Sequence, residues 1–167
     1  FLDISKENKL YFKLTLIMLE KTFKICRKSN CKFSINLNKE DMTNEDIVNY
    51  ILTQFKEYKF GHNISFEILE SEGIEDFKEI AEFIKQVKVY GTTISVDDFG
   101  TGYSNFEYLM NLNFDYLKID GSMIKNIDSD ENSQMVTKTI VDFAHKIGVK
   151  TIAEFVSNKT IYDKVKA

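Results

Sequence analysis

The sequence predicts an α/β protein in which parallel strands alternate with helices, and three observations favour this fold class. Short runs of β-branched and aromatic residues recur along the 167 residues, as expected of strands. Stretches with apolar residues at helical period separate these runs. Every strand candidate carries a polar or charged residue at or near its carboxyl end. No linker or low-complexity tract interrupts the pattern, so the repeated strand–helix unit indicates a parallel sheet with both faces buried.

The elements follow one another in a regular order. The predicted strands are Lys32–Leu37, Asn63–Leu69, Thr92–Asp97, Tyr116–Asp120 and Val149–Glu154. Apolar stripes predict helices around them: one over Lys9–Arg27, one striped by Ile47, Ile51, Leu52 and Phe55, one by Phe77, Ile80, Ala81, Ile84 and Val87, and one by Val136, Ile140, Phe143 and Ala144. Thr43 and Ser104 are predicted to cap the starts of two helices, because an acidic residue follows each of them three positions later.

Two architectures fit this order, an open doubly wound sheet and a (β/α)8 barrel. A complete barrel typically needs about 250 residues and eight strands, so length alone favours the open sheet or an incomplete barrel. A doubly wound sheet gathers its ligand groups at one switch point, whereas here every strand has a polar side chain at or near its carboxyl end. We therefore predict an α/β (β/α)8 barrel of the TIM type that is incomplete in this chain, with about five strands.

Composition excludes several classes of protein. The net charge of −4 disfavours binding to a nucleic-acid polymer, which depends on clustered positive charge. No run approaches the ~20 apolar residues of a membrane span, and we expect no secretion signal. Cys26 and Cys31 lack a second Cys pair or a nearby His, so we expect no zinc site. Two thiols in a chain rich in charged residues favour a reduced, cytoplasmic protein.

The strand ends carry a specific chemistry. Their polar residues offer oxygen ligands, the kind preferred by Mg²⁺ and Mn²⁺; these candidate ligands are Asn36, Glu67, Asp97, Asp98 and Glu154. One acid at a strand end is usually a solvated loop residue, but the joint pattern over five strands favours a site for two metals and a phosphoester. Lys118 is the fixed cation among them. Asp98-Phe-Gly also occurs in protein kinases, but their other motifs are missing.

The segment DDFGTGYSNFEYL at 97–109, with FDYLKID at 114–120 and TIAEFV at 151–156, closely resembles EAL domains, the phosphodiesterases of bacterial cyclic di-GMP. The segments SINLN around Asn36 and FEILES around Glu67 resemble two further strand motifs of that family. The resemblance covers essentially the whole chain. It implies a (β/α)8 barrel, two Mg²⁺ or Mn²⁺ ions, and hydrolysis of cyclic di-GMP to linear pGpG.

The resemblance also implies a role for each matching residue. Asn36, Glu67, Asp97 and Asp98 are then metal ligands, Lys118 positions the hydrolytic water, Glu154 is a general base or a metal ligand, Asp120 supports the ligands, and Glu70 anchors the loop Phe99–Asn105 with Gly100, Thr101 and Gly102. The implied partners are cyclic di-GMP, a second copy docked through the loop after Asp98 and adjacent helices, and a fused sensor or GGDEF domain.

The departures from the family set further expectations. The Glu-Ala-Leu that names the family is absent, and a family Glu is replaced by Ser157. Phe1 and Ala167 look like cut ends, so we expect residues 1–167 to form a partial EAL domain, without its first strand and C-terminal end, that is inactive alone. Two alternatives remain open: a degenerate EAL domain that serves as a non-catalytic cyclic di-GMP receptor or signalling module, and a general metal phosphohydrolase with another substrate.

Overall fold

The computed structural model describes residues 10–70, 77–101 and 106–166, and strands alternate with helices throughout them. The strands form a five-stranded sheet in the order β1-β2-β3-β4-β5. Their bounds are Phe33–Asn36, Ile64–Leu69, Thr93–Phe99, Tyr116–Ile119 and Lys150–Ala153. A doubly wound sheet reverses its strand order at a switch point, but this order follows the chain consecutively, as in the wall of a barrel. The predicted α/β class is confirmed.

The predicted strands are all present, and the largest difference in their bounds is at β3. The sequence predicts its end at Asp97, but the strand runs to Phe99. Backbone pairing with the end of β4 continues along this extension, because the backbone N–H of Asp120 donates to the carbonyl of Phe99. The parallel register between β3 and β4 shifts between Val96 and Phe99. The two aspartates therefore lie in an irregular part of the strand and not after it.

The chain divides into two compact units. The first comprises the described residues of Phe1–Phe66 and Asp76–Thr93, and its helices are α1 (Tyr11–Cys26), α2 (Lys39–Thr43), α3 (Glu45–Tyr58) and α4 (Phe77–Lys88). Its core is aromatic. The rings of Phe23, Phe55 and Phe60 lie in mutual contact, with centroids 5.0 to 5.5 Å apart.

The start of α3 differs from the sequence prediction. Thr43 is not its cap, because Thr43 is the last residue of α2 and its hydroxyl donates to the carbonyl of Lys39. Asn44 takes the position instead, and its side-chain oxygen accepts from the N–H groups of Asp46 and Ile47. An Asn is among the best residues for this role. The cap predicted at Ser104 lies outside the described residues.

The second unit comprises the described residues of Glu67–Glu75 and Ile94–Ala167. Its helices are α5 (Phe106–Asn111), α6 (Gly121–Ile124), α7 (Glu131–Lys146) and α8 (Lys159–Lys166). Strand β4 pairs in parallel with β3 on one side and β5 on the other. Leu117 and Ile119 of this central strand are fully buried. Among the helices that the structure describes, none is both long and apolar enough to cross a membrane.

Candidate metal centre

An ion cluster lies at the carboxyl ends of the strands of the second unit, centred on Lys118 of β4. Its ammonium nitrogen lies 2.7 Å from Asp97 Oδ1, 2.8 Å from Glu154 Oε1 and 3.3 Å from Glu67 Oε2. These four side chains are only 13% to 19% exposed. Four of the residues that the sequence analysis assigned to different strand ends therefore meet in one half-buried cluster.

Strand alternation explains how Lys118 reaches the cluster. Its neighbours Leu117 and Ile119 are buried on the opposite side of β4, because successive side chains of a strand point to opposite faces. Glu67 follows the same rule on β2, where Phe66 and Ile68 are buried. The local sequence of each strand therefore presents its one charged residue to the cluster.

Glu154 is held by backbone pairing that continues past the end of β5. The register places Ile119 opposite Ala153, and the N–H of Glu154 donates to the carbonyl of Ile119 at 3.1 Å. Its backbone is therefore fixed on β4, one residue beyond Lys118, which accounts for the short contact between the two side chains.

Asp98 joins the cluster through an unusual backbone conformation. Its φ is +54°, in the left-handed region that few residues other than Gly, Asn and Asp adopt. In a regular strand Asp97 and Asp98 would point to opposite faces, but ligand oxygens of Asp97, Asp98 and Glu154 lie within 4.8 Å of one another. The irregular backbone of β3 therefore brings both aspartates to the cluster, although the strand does not end at Asp97 as the sequence predicts.

The cluster holds more negative than positive charge. Burial tends to lower the pKa of Lys118, but hydrogen bonds to Asp97 and Glu154 and the charge of Glu67 outweigh it and keep that pKa above its ordinary value. Burial raises the pKa of Asp98, and the charges of Asp97, Asp120 and Glu154 raise it further. Lys118 is thus firmly protonated, yet it does not balance the carboxylates around it.

These residues fit a divalent cation. Three carboxylates converge within ligand distance of one another, and oxygen-only sets of this kind suit Mg²⁺ and Mn²⁺. The raised pKa of Asp98 shows that its negative charge is unfavourable here, and a bound cation would relieve it. Among the described residues, this group could hold a metal ion through Asp97, Asp98 and Glu154.

The loop after β3 is tied to Glu70. Oε2 of Glu70 accepts a hydrogen bond from the N–H of Gly100 at 2.9 Å, while its buried Oε1 has no partner among the described residues. Gly100 has a φ of +101°, and its α-carbon faces the thioether of Met123. Glu70 is itself buried, so this contact fixes the turn that follows Asp98.

The remaining predicted site residues lie in varied surroundings. Asp120 caps α6 through a hydrogen bond from Ser122 N–H, and the Ser122 contacts lower the pKa of Asp120. Thr101 is exposed, and its hydroxyl donates to the carbonyl of Asp98. Phe99 is fully buried, so its ring belongs to the core. Gly102 lies outside the described residues.

Asn36 belongs to the first unit, where it is the exposed last residue of β1. Its role as a ligand stays a prediction.

The sequence analysis missed Phe155, an exposed aromatic residue with a φ of +51° directly after Glu154. A large apolar residue next to a strand-end acid was the signal available in the sequence.

Comparison with known proteins places this chain in a family. The family model described as "EAL domain" matches residues 1–167. Cyclic di-GMP phosphodiesterase PdeB of Shewanella oneidensis is 34% identical over 133 residues, which are 79% of this chain and 16% of that protein. Cyclic di-GMP phosphodiesterase PdeA of Borreliella burgdorferi is 35% identical over 134 residues, 80% of this chain and 20% of that protein. The chain thus spans a fifth or less of either relative.

The fold is shared with solved structures. The PaMucR phosphodiesterase in its c-di-GMP complex superposes with a TM-score of 0.89 at 23% identity, covering 99% of this chain and 75% of that one. At this identity the structural similarity supports a shared fold only, and that fold agrees with the consecutive order of the strands in the sheet.

Proposed function

The chain belongs to the EAL domain family, and we propose that the protein containing it is a metal-dependent phosphodiesterase that hydrolyses cyclic di-GMP to linear pGpG. The observation that supports this most is the convergence of Asp97, Asp98 and Glu154 beside Lys118. The names of its relatives supply the substrate.

We assign the metal ligands to Asn36, Glu67, Asp97 and Asp98, and the metal to Mg²⁺ or Mn²⁺, with two ions in the complete site. When bound, such ions lower the pKa of a coordinated water and neutralise charge on the phosphodiester. Carboxylates held by strand backbones suit this role, because their positions are set before any ion binds.

Glu154 and Lys118 act on the reacting groups. Glu154 accepts the proton of the attacking water, whose oxygen forms the new bond to phosphorus while the bond to the 3′ oxygen breaks. The leaving 3′ oxygen takes up a proton from solvent water, Glu154 returns its own proton to solvent, and the product is linear pGpG. Lys118 donates hydrogen bonds that orient the water or a phosphate oxygen, a role for which its raised pKa keeps it charged. General-base catalysis of this kind contributes about 10²- to 10⁴-fold.

Glu70 and Asp120 position the loops around these groups. Glu70 holds the turn of Phe99, Gly100, Thr101 and Gly102 through the Gly100 N–H. Asp120 fixes the start of α6 directly after β4.

We further propose that residues 1–167 are part of a larger EAL barrel in a cytoplasmic protein. Its proposed partners are a second copy docked near the loop after Asp98, and a fused sensor or GGDEF domain.

The test is to incubate the natural protein that contains this chain with cyclic di-GMP and to quantify pGpG by chromatography. We expect turnover with Mg²⁺ or Mn²⁺ and none after chelation. Asp97→Asn should lower the rate at least about a hundredfold, whereas Asp142→Asn on the exposed face of α7 should leave it unchanged. Metal-independent turnover, or full activity of the Asp97 variant, would overturn the assignment. Binding without any pGpG would identify the non-catalytic receptor instead.

A further inference from the structure

Phe155 combines three features that are unusual together in a large apolar residue. It directly follows Glu154, its side chain is 74% exposed, and its φ is +51°. A left-handed backbone is a genuine outlier for a bulky residue and costs about as much as one lost hydrogen bond. Among the described non-glycine residues only Lys59 and Asp98 share it. Lys59 ends a helix, where this conformation is ordinary, and Asp98 is a candidate ligand.

The ring is seated against Gly121, the first residue of α6. A Cβ added at Gly121 would overlap Cδ2 of Phe155 and would lie 2.7 Å from its Cγ. Gly121 comes three residues after Lys118 and directly after Asp120. One edge of the ring is therefore held by the loop that leaves the candidate site, and most of its surface is open.

The backbone of Glu154, the residue before Phe155, is also fixed. Glu154 is bound through its N–H to Ile119 and through its carboxylate to Lys118. The residue before Phe155 is thus held in place, and the left-handed backbone of Phe155 sets the direction in which its ring projects. Strained residues that the surroundings hold in place cluster at ligand-binding sites, and an open aromatic face beside charged groups suits a flat ligand with an anionic part.

We propose that Phe155 is a specificity-determining residue whose ring stacks on a purine base of the substrate while the phosphodiester lies at Lys118 and Glu154. This inference rests on the proposed phosphodiesterase function and deepens it, since it names the residue that recognises a base. Stacking of a base on an aromatic ring is lost on removal of the ring, and affinity then falls about tenfold to a hundredfold.

The experiment compares Phe155→Gly, Phe155→Leu and Phe155→Tyr in the natural protein that contains this chain. KM and kcat for cyclic di-GMP, the Kd by calorimetry and the melting temperature are measured for each. We expect the Gly and Leu variants to raise KM and Kd about tenfold to a hundredfold with kcat changed less than about twofold. Tyr keeps an aromatic face and should behave as the wild type. Gly tolerates a left-handed φ, so its melting temperature should not fall.

The outcomes separate this inference from the function on which it rests. Wild-type turnover with an unchanged KM and Kd in the Gly variant overturns base stacking and leaves the phosphodiesterase standing. A large fall in melting temperature for the Gly variant, or equal losses for Tyr and Leu, also overturns it, since the ring would then be packing. If the wild type neither binds nor hydrolyses cyclic di-GMP, the proposed function fails and base stacking fails with it.

Discussion

The ammonium nitrogen of Lys118 lies 2.7 Å from Oδ1 of Asp97, inside a half-buried group of carboxylates. The same nitrogen contacts Glu67 and Glu154. One positive charge thus faces several negative ones. Burial raises the pKa of Asp98, and the neighbouring negative charges raise it further. The excess of negative charge therefore favours binding of a further cation. Substitutions within the cluster should change the stability of the protein in different directions.

Replacement of Lys118 by Met should destabilise the metal-free protein. It removes three charge-assisted hydrogen bonds and leaves Glu67, Asp97 and Glu154 facing one another. The expected loss is about 1–3 kcal/mol in the free energy of unfolding, measured with urea. Mn²⁺ should raise the melting temperature of the variant more than that of the wild type, because it relieves a larger repulsion.

Lys138→Met is the matched control for that experiment. Lys138 pairs with Asp142 on one face of α7, and both side chains are mostly exposed. Such surface pairs contribute little, so this variant should match the wild type within about 0.5 kcal/mol. An equally mild effect of Lys118→Met would show that the cluster does not depend on its lysine.

Replacement of Asp98 by Asn should stabilise the metal-free protein at pH 7. The variant loses a charge that burial and Asp97 disfavour, and Asn tolerates the left-handed φ. The folded pKa of Asp98 is raised, so its protonated form favours folding below about pH 4, and that contribution disappears as the pH rises through the raised pKa. The expected gain in melting temperature is about 2–4 °C at pH 7, and it should vanish in acid.

The same Asp98→Asn variant should gain less stability from Mn²⁺ than the wild type, since it offers one charged ligand fewer. Asp128→Asn in an exposed turn is the control, and it should change neither measurement. A metal response equal to that of the wild type would remove Asp98 from the ligand set.

Strand periodicity and strand-end chemistry were enough to predict much of this fold and site. Glu67, Asp97, Lys118 and Glu154 come from different strands, yet each was identified from the polar residue that ends a buried run. Parallel strands bring their carboxyl ends to one edge, so the meeting of the three carboxylates around the amine of Lys118 followed from the fold class.

Features that depend on single backbone angles were not accessible from the pattern. The irregularity of β3 arises at Asp98, whose left-handed φ no periodicity encodes. The position of Phe155 depends on a similar angle and on the missing side chain of Gly121. The cap of α3 moved from Thr43 to Asn44 because α2 extends through Thr43. Each is a local backbone feature that the period of apolar residues does not encode.

Replacement of Gly100 by Ala should be more harmful than the same change at Gly148. Both have a positive φ, +101° and +77°, which costs Ala about 1–2 kcal/mol. At Gly148 nothing lies within 4 Å of an added Cβ, whereas at Gly100 it would overlap the Met123 methyl and lie 2.7 Å from its sulfur. Unfolding in urea should show the larger loss for Gly100→Ala. Met123→Ala in that background should recover part of it, and equal losses at both glycines would contradict this contact.

The last prediction concerns Asp41, a buried carboxyl in the first unit. Its oxygens accept hydrogen bonds from the hydroxyls of Tyr11 and Thr15 and from the N–H of Asn38. Burial raises the pKa of Asp41, although these hydrogen bonds lower it in part. Asp41→Asn replaces an acceptor oxygen by a donor, so we expect a loss of about 1–3 kcal/mol in the free energy of unfolding.

The pH dependence of that loss has a definite sign. Unfolded Asp41 titrates near pH 4, and the folded group keeps its proton to a higher pH. The folded state therefore binds more protons between these values, and its stability falls as the pH rises through the folded pKa. The neutral Asn lacks this dependence, so the penalty of Asp41→Asn should be larger near pH 4 than at pH 7. Urea unfolding at both values measures it, with Asp142→Asn as the exposed control. A penalty that grows toward neutral pH would show that the hydrogen bonds from Tyr11, Thr15 and Asn38 outweigh burial.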